Sequence, residues 1–187
     1  MKVYVIRHGE SETNLSGRWT GWLDAALTEK GRNDAKKAGE LLKGISFDKV
    51  FSSDLSRAAD TAGIALPGCE AEKSALLREV HLGTLANQPL GCVTEAQRAQ
   101  IRENGYTMYG GESNTEFVER VRSFRDQLEQ LDAECVAVFT HAGWVRTMLD
   151  LVVGTRLPRK NVRCANCMVA IFEFDGDEWQ LHSWINL

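Results

Sequence analysis

Long apolar runs are missing from this sequence, and no stretch approaches the roughly 20 residues needed to cross a bilayer. Basic runs are missing as well. Lys and Arg number 22 against 26 Asp and Glu, for a net charge of −4, which argues against a broad nucleic-acid-binding surface. Any anion must then be bound by a local group of arginines and histidines working against the overall sign. Proline is scarce, at three in 187 residues, and repeats, low-complexity tracts and linkers are absent. The chain reads as a single domain over residues 1–187, apolar enough at 43% to form a real core. It therefore has no need of its five cysteines as staples. Cys135 and Cys69 fall in apolar surroundings, as structural thiols do. Cys164-Ala165-Asn166-Cys167 has the spacing of a zinc or redox pair. No second pair accompanies it, and the next histidine is His182, so two ordinary thiols near a strand are the expectation. No charged leader with an apolar signal core precedes the first strand, and a reduced cytoplasm fits this best.

What is present is an alternation of strand-like and helix-like periods. Val3 to Ile6 reads as a strand. Thr28 caps a helix with Ala35, Ala38, Leu41 and Leu42 on its apolar face. Asp48 to Ser52 is a second strand, followed by Ser53-Asp54 as caps of an alanine-rich helix from Leu55 to about Ala65, which Pro67-Gly68 ends. Residues 76–111 are less regular and form a small cap-like region with one helix, from about Thr94 to Glu103. After Gly110-Gly111, Ser113 and Glu116 make a capping box. Phe117, Val121, Phe124, Leu128 and Leu131 then form an apolar stripe on one helix face, best read as core packing. Cys135 to Phe139 is a third strand and Val145 to Val152 a further helix. Met168 to Phe174 and Trp179 to Trp184 are joined by Asp175-Gly176-Asp177, a hairpin signal. The order predicts a three-layer α/β/α fold with a mostly parallel sheet, to which the final hairpin adds at least one antiparallel strand.

Three of the apolar strands run into polar residues suited to phosphate: Arg7-His8-Gly9, Ser52-Ser53-Asp54 with Arg57 one turn on, and Thr140-His141-Ala142-Gly143. In open α/β sheets, ligands bind beyond the carboxyl ends of the strands. Two histidines and two arginines thus share one rim. A metal suits this set poorly, because arginine repels cations and no carboxylate stands at ligand spacing. An oxyanion suits it well, since guanidinium is a permanent fork of donors. A histidine there can attack phosphorus. Neighbouring arginines should lower its pKa below the free value of about 6.5, and a carbonyl in the Gly9 turn could fix its tautomer. Cleavage of a phosphate ester also needs a proton donor for the departing oxygen. Glu79 is the leading candidate, with Glu10, Glu12 and Glu112 as alternatives. His81 is assigned a structural or supporting role, and His182 packing or surface. Trp19 and Trp22 either wall the pocket or anchor the loop after Asn14.

Arg7-His8-Gly9-Glu10 with Asn14, Gly21-Trp22, Leu27-Thr28-Glu29-Lys30-Gly31, Ser52-Ser53-Asp54-Leu55-Ser56-Arg57-Ala58, Leu77-Arg78-Glu79 with Gly83, and Thr140-His141-Ala142-Gly143 occur in order over nearly the whole chain. Together they resemble the motifs of the histidine phosphatase superfamily, in its phosphoglycerate-mutase-like branch. The resemblance implies that His8 becomes a phosphohistidine, that Arg7, Arg57 and His141 bind the phosphoryl oxygens, and that Glu79 serves as acid and then base. By the same resemblance Asn14 touches the phosphate, Thr20, Gly21 and Ala142 line the substrate site, and neither cofactor nor metal is needed. After Gly83 the chain departs from many relatives, reading Thr84-Leu85-Ala86-Asn87-Gln88-Pro89-Leu90-Gly91. It also has no adjacent arginine pair where glycolytic mutases hold a carboxylate, Arg98 and Arg102 being separated. The expected activity is hydrolysis of a small phosphorylated metabolite, with α-ribazole phosphatase-like and broad-specificity enzymes nearest in size and layout. Phosphoglycerate mutase is the alternative, and a non-catalytic phospho-ligand-binding module a third. No nucleic-acid or membrane partner is expected, and whether the chain forms a homodimer is open.

Overall fold

A computed structural model describes all 187 residues. In chain order it contains β1 (Lys2–Arg7), α1 (Glu12–Leu15), α2 (Glu29–Leu42), β2 (Lys49–Ser53), α3 (Ser56–Ala65), β3 (Glu72–Ser74), α4 (Glu95–Asn104), α5 (Asn114–Glu129), β4 (Cys135–Thr140), α6 (Ala142–Val153), β5 (Val169–Phe174) and β6 (Trp179–Ile185). The six strands form one sheet in the order β3-β2-β4-β1-β5-β6. The four from β3 to β1 are parallel, β5 is antiparallel to β1, and β6 is antiparallel to β5.

The strands alternate as a sheet covered on both faces must. Val3 and Val5 of β1, with Val136 and Val138 of β4, face α5 and α6, where they meet Val121, Phe124, Trp144, Val145 and Met148. Ile6, Ala137 and Phe139 face the other way and pack with Leu42, Ala62 and Ala65 from α2 and α3. Three layers result. The apolar stripe of α5 is buried as its spacing requires, and the helix starts at the expected capping box, with the side chains of Ser113 and Glu116 each bonding the other's backbone. No helix is long and apolar enough to cross a membrane.

Three expectations need correction. Ser53 and Asp54 do not cap α3, whose N-cap is Leu55 with no side-chain bond. Tertiary partners claim both instead: Ser53 bonds His141, and Asp54 forms a two-pronged ion pair with Arg78. Leu41 is exposed rather than inward, because α2 buries the side defined by Ala35, Ala38 and Leu42. Cys69 is exposed, whereas Cys164 and Cys167 are the buried thiols. Gly9 is needed because α2 comes so close that a Cβ there would lie 2.5 Å from the carbonyl oxygen of Gly31, while a Cβ on Gly31 would meet that of Glu10. The two glycines let the chain after β1 lie directly on the first turn of α2.

Residues 76–111 gather around their own small apolar cluster of Leu82, Leu85 and Val93, with Trp19, Ile101, Tyr106 and Tyr109 against it. This cluster stands over the carboxyl ends of β1 and β4, and α6 forms the opposite wall of the cleft between them.

Candidate active site

β1 and β4 are neighbours in the sheet, and their last residues, Arg7 and Thr140, are paired in register. The residues that follow, His8 and His141, therefore emerge side by side. His8 N donates to the Thr140 carbonyl at 2.9 Å, and the two imidazole rings are 5.1 Å apart. Both side chains are buried.

Hydrogen bonding fixes the tautomer of His8. Nδ1 lies 2.6 Å from the Gly9 carbonyl oxygen, which can only accept, so Nδ1 carries the proton. Nε2 then keeps its lone pair, facing Nε of Arg57 at 3.3 Å. Burial holds the His8 pKa well below 6.5, and the charges of Arg57 and Arg7 lower it further; the Gly9 bond opposes them. At neutral pH Nε2 is an unprotonated nitrogen set among cations.

Arg57 is fully buried at the start of α3. Its Nη atoms donate to the carbonyls of Leu23 at 2.9 Å and Gly21 at 2.8 Å, tying the loop after α1 to the site. Burial lowers its pKa to about 10, which leaves it charged. Arg7 donates from Nη1 to the Cys164 carbonyl at 2.5 Å, and its Nε has no partner within the protein. His141 Nε2 lies 2.9 Å from Ser53 Oγ, which already accepts the Leu55 N–H. The Ser53 hydroxyl has no other acceptor and donates to that nitrogen. The proton of His141 is then on Nδ1, which also lacks a partner. Burial, and next the Arg57 charge, keep His141 well below its ordinary pKa.

Glu79 sits against the first turn of α6. Its Oε1 accepts from Val80 N at 2.9 Å and its Oε2 from Gly143 N at 3.1 Å. A Cβ at position 143 would lie 2.1 Å from Oε1, so glycine there makes room for the carboxylate. The helix N-terminus favours a negative charge at this place. The main chain is held equally firmly, since Trp22 Nε1 and Arg120 Nη2 both donate to the Glu79 carbonyl. Arg120 also donates to the carbonyls of Leu76 and Arg78, and is fixed by an ion pair with Glu112.

The other carboxylates are engaged elsewhere. Glu10 accepts from Thr28 at the start of α2, Glu12 is exposed on α1, and Glu112 is bound to Arg120 and to the His81 amide. Trp19 walls the cleft, whereas Trp22 lies outside its lining, under the Arg78 guanidinium and against the His81 ring. His81 accordingly packs rather than reaching the cleft, and His182 is on the surface near Glu173.

Arg7, His8, Asn14, Thr20, Gly21, Arg57, Glu79 and Ala142 all line one cleft of about 760 Å³, and His141 lies just beneath it, behind His8. Thr20 Oγ1 bonds Thr13 Oγ1 at 2.7 Å, and the Gly21 carbonyl accepts from Arg57. No three His, Cys, Asp or Glu side chains converge as a metal site.

Arg120 escaped the sequence reading, and so did Asn166. Asn166, inside the Cys164–Cys167 segment, donates from Nδ2 to the His8 carbonyl at 3.1 Å and to Asn14 Oδ1 at 3.3 Å. Ser11 N also donates to Asn14 Oδ1, so the Asn14 oxygen is taken up and its amide NH2 remains for the cleft. Cys167 N bonds the His8 carbonyl as well. The segment noticed for its thiols clasps the site through its backbone and its asparagine. Only the unusual spacing marked it.

A model of the histidine phosphatase superfamily (branch 1) matches residues 3–187. A protein of Salmonella choleraesuis (strain SC-B67) named "Probable phosphoglycerate mutase GpmB" is 29% identical over 196 residues, covering 99% of this chain and 90% of its own. Among solved structures, a phosphoglycerate mutase from Thermus thermophilus is 31% identical with a TM-score of 0.80, covering 100% of this chain and 99% of its own. A phosphoserine phosphatase from Entamoeba histolytica, in complex with 3-phosphoglyceric acid, shares the fold with a TM-score of 0.84 at 24% identity, covering 100% of this chain and 97% of its own.

Proposed function

Because the chain belongs to the histidine phosphatase superfamily (branch 1), we propose that it is a phosphomonoesterase working through a phosphohistidine on His8, without a metal. One observation carries this reading. The protein has three buried side-chain nitrogens without a partner, and all three belong to residues that line the cleft or lie directly beneath it: Arg7 Nε, Trp19 Nε1 and His141 Nδ1. Buried donors without acceptors cost roughly 1–3 kcal/mol each, so a site that gathers them is built for an acceptor from outside the chain. Two of the three belong to the residue before His8 and to the histidine whose ring lies 5.1 Å from its own, and a phosphoryl group on His8 Nε2 would offer both an acceptor.

In the first step His8 Nε2 forms a bond to phosphorus as the ester P–O bond breaks. Glu79 in its acid form gives its proton to the departing oxygen, and the carboxylate it becomes is the form that the α6 N-terminus favours. Arg7, Arg57, Asn14 Nδ2 and His141 Nδ1 hold the three remaining oxygens, whose charge they stabilise best in the transition state. In the second step Glu79 takes a proton from water as that water attacks phosphorus, and His8 is released. The Gly9 carbonyl accepts the Nδ1–H bond throughout, so the imidazole gains and loses phosphoryl on one nitrogen without changing tautomer.

His8→Ala should lower turnover of an aryl phosphate by about 10³-fold or more, and rapid quenching of the wild type should trap phosphate in acid-labile, alkali-stable form. Turnover near wild type in the variant would overturn the assignment. Phosphoglycerate mutase is the second reading, favoured by the names of the Salmonella and Thermus relatives. Isomerisation stimulated by bisphosphoglycerate, with negligible ester hydrolysis, would establish it instead.

A further inference from the structure

Glu79 stands on a stretch of chain with no hydrogen-bond ladder of its own. One 3₁₀ turn (Ala75–Leu77) leads into it, and residues 78–82 belong to no helix or strand. The main-chain groups of such a segment must find their partners elsewhere, and those partners decide where its side chains stand. Here they come from the first two turns of α5 and the residues just before it. Arg120 uses all five of its N–H groups for this. Its Nη1 donates to the carbonyls of Leu76 at 3.0 Å and Arg78 at 2.8 Å, and its Nη2 to that of Glu79 at 3.0 Å. Nε and Nη2 grip the two oxygens of Glu112, each at 2.8 Å.

Glu112 completes the grip. Its Oε2 accepts from His81 N at 2.7 Å, and its own amide donates to the His81 carbonyl at 2.9 Å. Gly111 permits this approach, since a Cβ there would lie 2.2 Å from the same carbonyl oxygen. The Gly110-Gly111 break thus brings the chain before α5 against the segment that carries Glu79. Both charged side chains are mostly buried, Arg120 at 13% exposed and Glu112 at 15%. A buried ion pair is often no more stabilising than apolar residues of the same volume. A planar guanidinium fork, however, fixes direction, as apolar contacts do not. Neither residue lines the cleft, so whatever the pair does for the chemistry passes through the segment it holds.

We propose that Arg120, oriented by Glu112, is a positioning residue for proton transfer. It fixes the main chain at residues 76–79 so that the Glu79 carboxyl meets the departing oxygen, and it takes no part in holding the phosphoryl group or in the attack by His8. The proposal rests on the reading of Glu79 as the acid. Glu79 is then held at both ends, its carboxylate by the amides of Val80 and Gly143 and its main chain by Arg120. Misplacing a catalytic group by about 1 Å can cost roughly 10²-fold in rate. Arg120→Lys keeps the charge and loses the fork, because one ammonium cannot span three carbonyls and a carboxylate.

Arg120→Lys, Glu79→Gln and the two combined are compared by kcat/KM on an alkyl phosphate, a poor leaving group, and on 4-nitrophenyl phosphate, a good one. Arg120→Lys should slow the alkyl ester about tenfold or more and the nitrophenyl ester less than about threefold. Inhibition by inorganic phosphate should stay within about twofold of wild type, which also shows that the site is folded. On the alkyl ester the combined variant should be no slower than Glu79→Gln alone, since a misplaced acid and an absent one are the same loss. Glu112→Gln, which leaves Arg120 one oxygen instead of two, should repeat the Arg120→Lys pattern more weakly, and decides the matter should the lysine variant not fold. Equal slowing of both esters in these variants overturns the positioning role, as does a combined variant in which the two losses multiply. Equal slowing of both esters by Glu79→Gln itself is a different failure: the acid reading then falls, and the positioning role with it.

Discussion

At the scale of single residues, two questions about proton and phosphoryl transfer come apart cleanly. Glu79→Gln keeps the size of the side chain and one of its two accepting oxygens but cannot give a proton. It should slow esters of poor leaving groups about 10²-fold and those of good leaving groups far less, because only the former need the proton. A series of aryl and alkyl phosphates, plotted as log kcat/KM against leaving-group pKa, checks this; uniform slowing would assign the proton to another group. Asn166 is a positioning residue, since it meets two oxygens, the His8 carbonyl and Asn14 Oδ1. Asn166→Ala removes two donors. Asn166→Asp sets a negative acceptor against two acceptors, and should reduce kcat/KM by about another tenfold beyond the alanine variant. Equal effects of the two would show that Asn166 only fills space.

At the scale of elements, the site is a consequence of strand adjacency. β1 and β4 end at the same level, and whatever follows them must share one rim. Gly9 and Gly31 then press that rim onto α2. Gly9→Ala forces a Cβ against backbone that cannot swing away. It should cost about 2 kcal/mol or more, a fall of roughly 5 °C in Tm by calorimetry, together with activity. This level was largely legible in sequence. The alternation of Val3, Val5, Val136 and Val138 and the stripe of α5 are local periodicities imposed by burial, and the capping boxes are local hydrogen-bond chemistry. The polar residues after each strand could be read because the fold class says where strand ends meet. Other features depend on partners distant in sequence and leave no local trace. β3 has three polar residues and pairs only because β2 is beside it. Ser53 looks like a cap until His141, 88 positions away, claims its hydroxyl. Arg120 looks like one of many surface arginines on α5 until its five bonds to residues 76–79 and to Glu112 are seen.

At the scale of the whole molecule, the buried histidines link stability to pH. Both have folded-state pKa values well below 6.5. Above about pH 6.5 neither the folded nor the unfolded chain protonates them, and they contribute nothing to the pH dependence. Below it the unfolded chain takes up protons that the folded one refuses. Stability should therefore fall as pH drops from about 6.5, by up to about 1.4 kcal/mol per pH unit for each histidine. Urea midpoints measured between about pH 7.5 and 5.5 check this, and His141→Gln should flatten the slope; an unchanged slope would trace it to other groups. The Cys164–Cys167 segment supplies a clock for the molecule's motions. Cys69 and Cys92 are exposed and should react with an alkylating reagent at once, whereas Cys164 and Cys167 are buried and can react only when the segment clasping His8 opens. Their labelling rate thus reports the free energy of opening the active site, separately from that of unfolding the chain. Inorganic phosphate, by binding the closed form, should slow these two thiols and leave the exposed two unaffected.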